Sequence, residues 1–342
     1  MQLGLVGLSW GARVASALRG ASGVMIAACY ARSAGARERF AAEFAVRACS
    51  TFEGLVNDES LDGIIVMTPN GTHRDLAVAA MRAGRHVLVT KPIATTLKDA
   101  ADMIRVAHET GRILVVGHQS RRHPAVRALR QLVEANELGL PRLIEGNTSS
   151  PTGFDITPVD WRAQAAECPG GPLLQLGIHY VDNFQYLLGP VRTVWARMAK
   201  IGDGAVAPDT ATVQLKFCSG AFGYLGSSYV TPYSRWIRLS GERAVAEFRA
   251  DGSMSLCGME GEVTRVVVPP QNRAALHREM LLEEVQEFVD CIRQGLSPET
   301  GGLAGARNLA VVLAAIESHR TGSPVEIEDL LRTVDLAEES TP

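Results

Sequence analysis

Short apolar runs alternate with amphipathic stretches through the first 120 residues. Gln2–Gly7, Val24–Cys29, Gly63–Met67, His86–Val89 and Ile113–Val116 read as strands, and Ala12–Leu18, Ala34–Phe44, His73–Ala83 and Leu97–Glu109 show helical spacing between them. Strands alternating with helices predict βαβ units and a parallel sheet. The strands are nearly continuous apolar runs, as required where both faces of a sheet are covered.

Beyond residue 120 the pattern changes. Val126–Asn136 is one more helix, ended by Gly139 and Pro141. Longer alternating strands follow at Leu143–Ser149, Val191–Ile201, Thr210–Phe217, Ala221–Tyr229, Trp236–Ser240 and Ala244–Arg249. Consecutive strands without intervening helices predict an antiparallel or mixed sheet. One helix interrupts at Pro172–Leu188, and two follow at Ala275–Arg293 and Leu303–Arg320. The predicted architecture is α/β. A doubly wound parallel-sheet domain spans 1–120, an α+β domain with a mostly antiparallel sheet spans 121–330, and an acidic tail spans 331–342. The C-terminal helices are free to pack back on the first domain.

A chain of 342 residues agrees with two domains. Apolar residues make up 46% and charged ones 21%, which excludes a disordered chain. A net charge of −3 argues against nucleic acid as a partner. No apolar run is long enough for a membrane span, and Met1–Val6 carries no basic secretory leader. The six cysteines form no C-x-x-C, so a metal site is not expected, and they suit a reducing cytoplasm.

The first strand ends at Gly7-Leu8-Ser9-Trp10-Gly11-Ala12. Gly7, Ser9 and Ala12 stand where a dinucleotide fingerprint has its three small residues, at the first βα turn. The helix N-terminus behind them offers N–H groups to phosphates. The second strand runs into Ala28-Cys29-Tyr30-Ala31-Arg32-Ser33, with no carboxylate for a ribose 2′-hydroxyl. Arg32 and Ser33 either hold a 2′-phosphate, which favours NADP over NAD, or Arg32 is a solvated surface charge.

Three further segments carry a family resemblance: Thr68-Pro69-Asn70-Gly71-Thr72-His73, Thr90-Lys91-Pro92, and Gly170-Gly171-Pro172 through Gln175 and His179 to Asp182. With Glu284–Ile292, Gly305–Arg320 and Gly322-Ser323-Pro324-Val325, they resemble the Gfo/Idh/MocA oxidoreductases over nearly the whole chain. The resemblance implies a Rossmann domain, a second domain with a large open sheet, and a site between the two. It also implies hydride transfer between a nicotinamide cofactor and a secondary alcohol or ketone of a sugar, glycoside, cyclitol or sugar nucleotide. The lysine of the family's E-K-P motif matches Lys91, with Thr90 in place of the glutamate. The histidine of its G-G-x-x-x-D-x-G-x-H motif matches His179, and Gln175 replaces the aspartate. Thr68, Pro69, Asn70, His73, Thr90, Lys91, Trp161 and Arg162 are the cofactor contacts it suggests, and Gln119 a substrate contact. The open sheet face implies a homodimer or homotetramer.

The residues agree with that chemistry. Oxidising a carbinol releases a hydroxyl proton along with the hydride, and a neutral His179 is a suitable acceptor. The Lys91 ammonium can bond the same oxygen. Gln175 lies four residues before His179, on the same helical face, where its amide oxygen can accept a ring N–H but cannot raise ring basicity as a carboxylate does. Asp182 reads equally as a partner behind His179 or as a packing residue, and Arg121 as a structural ion pair. His108, His277 and His319 read as surface residues. Two other functions are compatible: a cofactor-binding regulatory protein with little turnover, and a lyase using transient NAD-dependent oxidation.

Overall fold

The computed structural model describes residues 1–336. They form two compact units, one of Met1–Gln119 with His277–Ala306 and one of Ser120–Leu276 with the chain from Arg307 onward.

The first unit opens with β1 (Gln2–Val6), α1 (Leu8–Ala17), β2 (Met25–Tyr30), α2 (Ala34–Phe44), β3 (Arg47–Ala48) and α3 (Phe52–Val56). It continues with β4 (Gly63–Val66), α4 (His73–Arg82), β5 (His86–Thr90), α5 (Leu97–Thr110) and β6 (Leu114–Gly117). The six strands are parallel in the order β3-β2-β1-β4-β5-β6. Strand order reverses at β1 and β4, where open α/β sheets bind ligands beyond the carboxyl ends of their strands. Helix α2 starts where Ser33 accepts a hydrogen bond from Ala36 N, and α5 starts at the Thr96 cap and stops at the left-handed Gly111.

The second unit contains α6 (Pro124–Glu134), β7 (Pro141–Ser149), α7 (Ile178–Leu188), β8 (Val191–Ala199), β9 (Thr210–Phe217) and β10 (Phe222–Ser228). Next come β11 (Ser234–Gly241), β12 (Val245–Phe248), β13 (Met254–Cys257) and β14 (Val263–Val268). With β15 (Val325–Glu326) they make a sheet ordered β14-β13-β12-β11-β7-β10-β9-β8-β15. Its described pairs are antiparallel except β10 on β7. Helix α7 lies on one face: a Cβ on Gly146 of β7 would stand 2.8 Å from the Phe184 ring.

The long helices α8 (Arg273–Gln294) and α9 (Gly302–Thr321) and the short α10 (Ile327–Arg332) close the chain. Leu281, Val285, Phe288 and Val289 of α8 are buried with Leu3, Leu5 and Ile65 of the parallel sheet, so residues 277–306 belong to the first unit. The sequence leaves open which sheet these helices cover, because an apolar helix face does not name its partner, and α8 packs on the first. The strands expected from the sequence do not include β13 and β14. Val263–Arg265 of β14 are exposed in succession, so this edge strand carries no alternation to read. Leu331, where the tail was expected to begin, is buried in α10. The rest of the expected tail, residues 337–342, lies outside the described residues.

Candidate active site

In the first unit the chain turns from β1 straight into α1 at Gly7, whose φ is +88°. A Cβ there would stand 2.3 Å from the Met67 carbonyl oxygen, so the position admits glycine alone. A Cβ on Gly11 would meet the Leu5 side chain at 2.9 Å, and its absence lets α1 rest on β1. Gly11 thus packs closely on β1, beside the half-buried Ala12, which rests against the same core. Ser9 and Trp10 are exposed in the first turn of α1, and Trp10 carries the Arg13 guanidinium 4.3 Å over its ring. This glycine cradle before a ten-residue helix fits a dinucleotide pyrophosphate.

At the end of β2, Arg32 and Ser33 are exposed, and the Ser33 Oγ caps α2. Arg37 donates to the Ala31 and Arg32 carbonyls at 2.6 and 3.2 Å, so a second guanidinium stands beside this turn.

Thr68, Pro69 and the buried Asn70 form the loop after β4. Thr72 Oγ1 braces it, at 2.7 Å from both Thr68 Oγ1 and the Pro69 carbonyl. His73 follows and is fully buried, with each ring nitrogen against a backbone carbonyl oxygen. Its side chain thus holds backbone. Thr90 ends β5, and the half-buried Lys91 comes next. Glu284 of α8 is a buried carboxylate, and in the sequence it stands inside a helical stretch with no signal of its own. Its oxygens lie 3.3 and 3.4 Å from where a Gly117 Cβ would stand, and the Thr90 Cα lies 3.2 Å from that point. Gly117 at the end of β6 therefore leaves room for an acid next to the residue that precedes Lys91. Gln119 is half-buried at the start of the 3-10 turn Gln119–Arg122.

In the second unit, the helix expected over Pro172–Leu188 opens with a π-helical turn at Leu173–Gly177, where Ile178 N donates to the Leu173 carbonyl five residues back. Such turns are frequent at functional sites. Gly171, with φ of +53°, would place a Cβ 2.2 Å from the Pro208 carbonyl oxygen. Gly177 would place one 2.6 Å from Leu173 Cδ1. These two glycines allow the wide turn to form, and the half-buried Gln175 and His179 stand on it and just after it. Arg121 clamps the buried Asp182 of α7 through two bonds, and Asn308 Nδ2 donates to the same carboxylate at 2.7 Å. These bonds anchor α7 through the Asp182 carboxylate. Trp161 and Arg162 sit half-buried on a 3-10 turn capped by Asp160, with the Arg162 guanidinium 4.3 Å over the Trp161 ring.

Among the described residues, no three His, Cys, Asp or Glu side chains gather as a metal site. No described helix is long and apolar enough to cross a membrane. His108 and His319 are exposed, whereas His277 is half-buried against the Trp10 ring at 5.7 Å.

The parallel sheet, the glycine turn and the lysine after β5 define a dinucleotide-binding oxidoreductase unit. Residues 1–118 match the oxidoreductase family with an NAD-binding Rossmann fold, and residues 126–247 match the GFO/IDH/MocA C-terminal domain. The chain belongs to the Gfo/Idh/MocA family of oxidoreductases. It is 29% identical over 338 residues to 1,5-anhydro-D-fructose reductase of Ensifer adhaerens, covering 95% of this chain and 98% of that one. It is 28% identical to the NAD-dependent scyllo-inositol 2-dehydrogenase of Bacillus subtilis, covering 80% of each. A crystal structure from Desulfitobacterium hafniense, assigned as an NADPH-dependent oxidoreductase, superposes with a TM-score of 0.89 at 30% identity, covering 96% of this chain and 98% of that one.

Proposed function

We propose that this enzyme transfers hydride between NADP and a secondary alcohol or ketone of a small carbohydrate-like molecule, a sugar, glycoside, cyclitol or sugar nucleotide. The observation that carries the reading is the retention, in a chain of this family, of Lys91 directly after β5 and His179 in the first turn of α7, which follows the π-helical turn. Relatives that reduce 1,5-anhydro-D-fructose or oxidise scyllo-inositol support the substrate class. The nicotinamide, when bound, accepts or supplies the hydride. His179 takes the hydroxyl proton in the oxidative direction and returns it in the reductive one. Lys91 donates to the same oxygen and stabilises its developing negative charge. Gln175 orients the imidazole or the substrate. Gly7, Ser9, Trp10, Gly11 and Ala12 hold the pyrophosphate, and the exposed Arg32 with Ser33 holds the 2′-phosphate. The Thr68-Pro69-Asn70 loop, Thr90, Trp161 and Arg162 line the nicotinamide half, and Gln119 contacts substrate.

The outer face of the second sheet supports a homodimer or homotetramer. Leu143 and Phe222 are register partners on β7 and β10, and both are exposed, as are Tyr224 and Trp236. A second copy covering that face would remove an apolar patch from water. Six free thiols suit a cytoplasmic setting.

The test is a screen of polyols and glycosides with NADP and NAD, read by the absorbance of the reduced cofactor. On the substrate found, His179→Ala loses about 10²–10⁴-fold in turnover. Full activity in that variant would overturn the assignment.

A further inference from the structure

Each nitrogen of the His73 ring stands at hydrogen-bond distance from a backbone carbonyl oxygen: Nδ1 is 2.8 Å from that of Pro92 and Nε2 is 2.9 Å from that of Thr68. The residue is fully buried. Thr68 lies in the loop after β4 and Pro92 in the loop after β5. These neighbouring strands both end at the edge where ligands bind in such sheets. One imidazole therefore ties together two loops that regular β-pairing leaves independent. The β4 loop has a brace of its own in Thr72. The tie to Pro92 reaches the residue next to Lys91 in the chain. A carbonyl oxygen only accepts, so the neutral ring donates to one of the two carbonyls and the protonated ring to both.

We propose that His73 is a positioning residue for Lys91: its ring joins the β4 and β5 loops and thereby fixes the backbone from which the Lys91 amine reaches the reacting oxygen. His73 then acts through backbone rather than by touching the nucleotide. The inference rests on the reading of Lys91 as the donor to that oxygen. Misplacing a reacting group by about 1 Å costs up to roughly 10²-fold in rate, which sets the size of the effect.

The test is a double-mutant cycle on the intact enzyme with the best substrate of the polyol screen. His73→Ala should lower kcat about 10- to 100-fold, leave nucleotide affinity measured by cofactor fluorescence near that of wild type, and add nothing to the loss in Lys91→Ala. His73→Gln, whose amide supplies a donor for one carbonyl, should recover part of the rate. It carries the same cycle if His73→Ala does not fold. Losses that add in the double variant would overturn the inference, as would a fall confined to nucleotide affinity. Full activity in Lys91→Ala would instead sink the underlying reading of Lys91, whatever His73→Ala does.

Discussion

Arg121 holds Asp182 through two hydrogen bonds, Nε to Oδ2 at 3.0 Å and Nη2 to Oδ1 at 2.5 Å, with the carboxylate wholly withdrawn from solvent. Asp182 stands three residues after His179 on α7, so the pair anchors the helix that carries the proposed proton acceptor. Breaking a buried pair by removing one partner leaves an uncompensated charge and costs roughly 3–5 kcal/mol. Arg121→Ala should lose stability of that order in denaturant unfolding. Arg121→Met combined with Asp182→Leu should recover most of it. A loss within experimental error for Arg121→Ala would show that the pair does not anchor the helix.

His123 caps α6, its Nδ1 accepting from Ala125 N at 3.1 Å, and meets the edge of Phe248. Burial, with the Arg235 charge adding, pushes its pKa down from 6.5 to about 4. The folded state thus holds the ring neutral while the unfolded chain binds the proton more readily. The resulting stability is fully present above pH 6.5 and is lost as pH falls towards 4. The loss amounts to about 3 kcal/mol. His123→Asn keeps a capping oxygen and should flatten this part of the stability profile measured by urea unfolding. An unchanged slope would assign it to other groups.

Arg32→Ala should weaken NADP binding while sparing NAD. A charge-assisted bond to phosphate contributes roughly 1.5–3 kcal/mol, or about ten- to hundredfold in affinity. Fluorescence titration of both cofactors checks this. Equal losses for the two, or a wild type that prefers NAD, would overturn the reading of the β2 turn.

Gln175 tests how far the site departs from its family's motif. Its amide can orient the His179 ring but cannot raise ring basicity. Gln175→Ala should therefore lose less than about tenfold in kcat, against 10²–10⁴-fold for His179→Ala. Gln175→Asp should raise turnover by supplying a carboxylate to the imidazole. Losses as large as those of His179→Ala would make Gln175 a direct participant in the proton step.

The residues of the candidate site stand out in the sequence because their signals are local. A βα turn needs a small residue where the backbone turns back, and Gly7 announces it within a few positions of the strand it ends. The lysine and histidine stand inside short motifs that keep their spacing. His73 was legible as a motif residue, but the two carbonyls that its ring meets were not. Its ring meets Pro92, 19 positions away, through a packing arrangement that neither segment encodes alone.

The sequence by itself determined the alternation of strands and helices in the first 120 residues, the change to consecutive strands beyond it, and the turn glycines. Each depends on periodicity or backbone freedom within a few residues. Only the tertiary structure decided that α8 packs on the first sheet, that Glu284 reaches the end of β5 and β6, and that Asp182 serves Arg121. Those outcomes join side chains 61 positions apart for the Arg121–Asp182 pair and far more for α8. An amphipathic face or a charged side chain states that it needs a partner, and the packed chain alone determines which partner it finds.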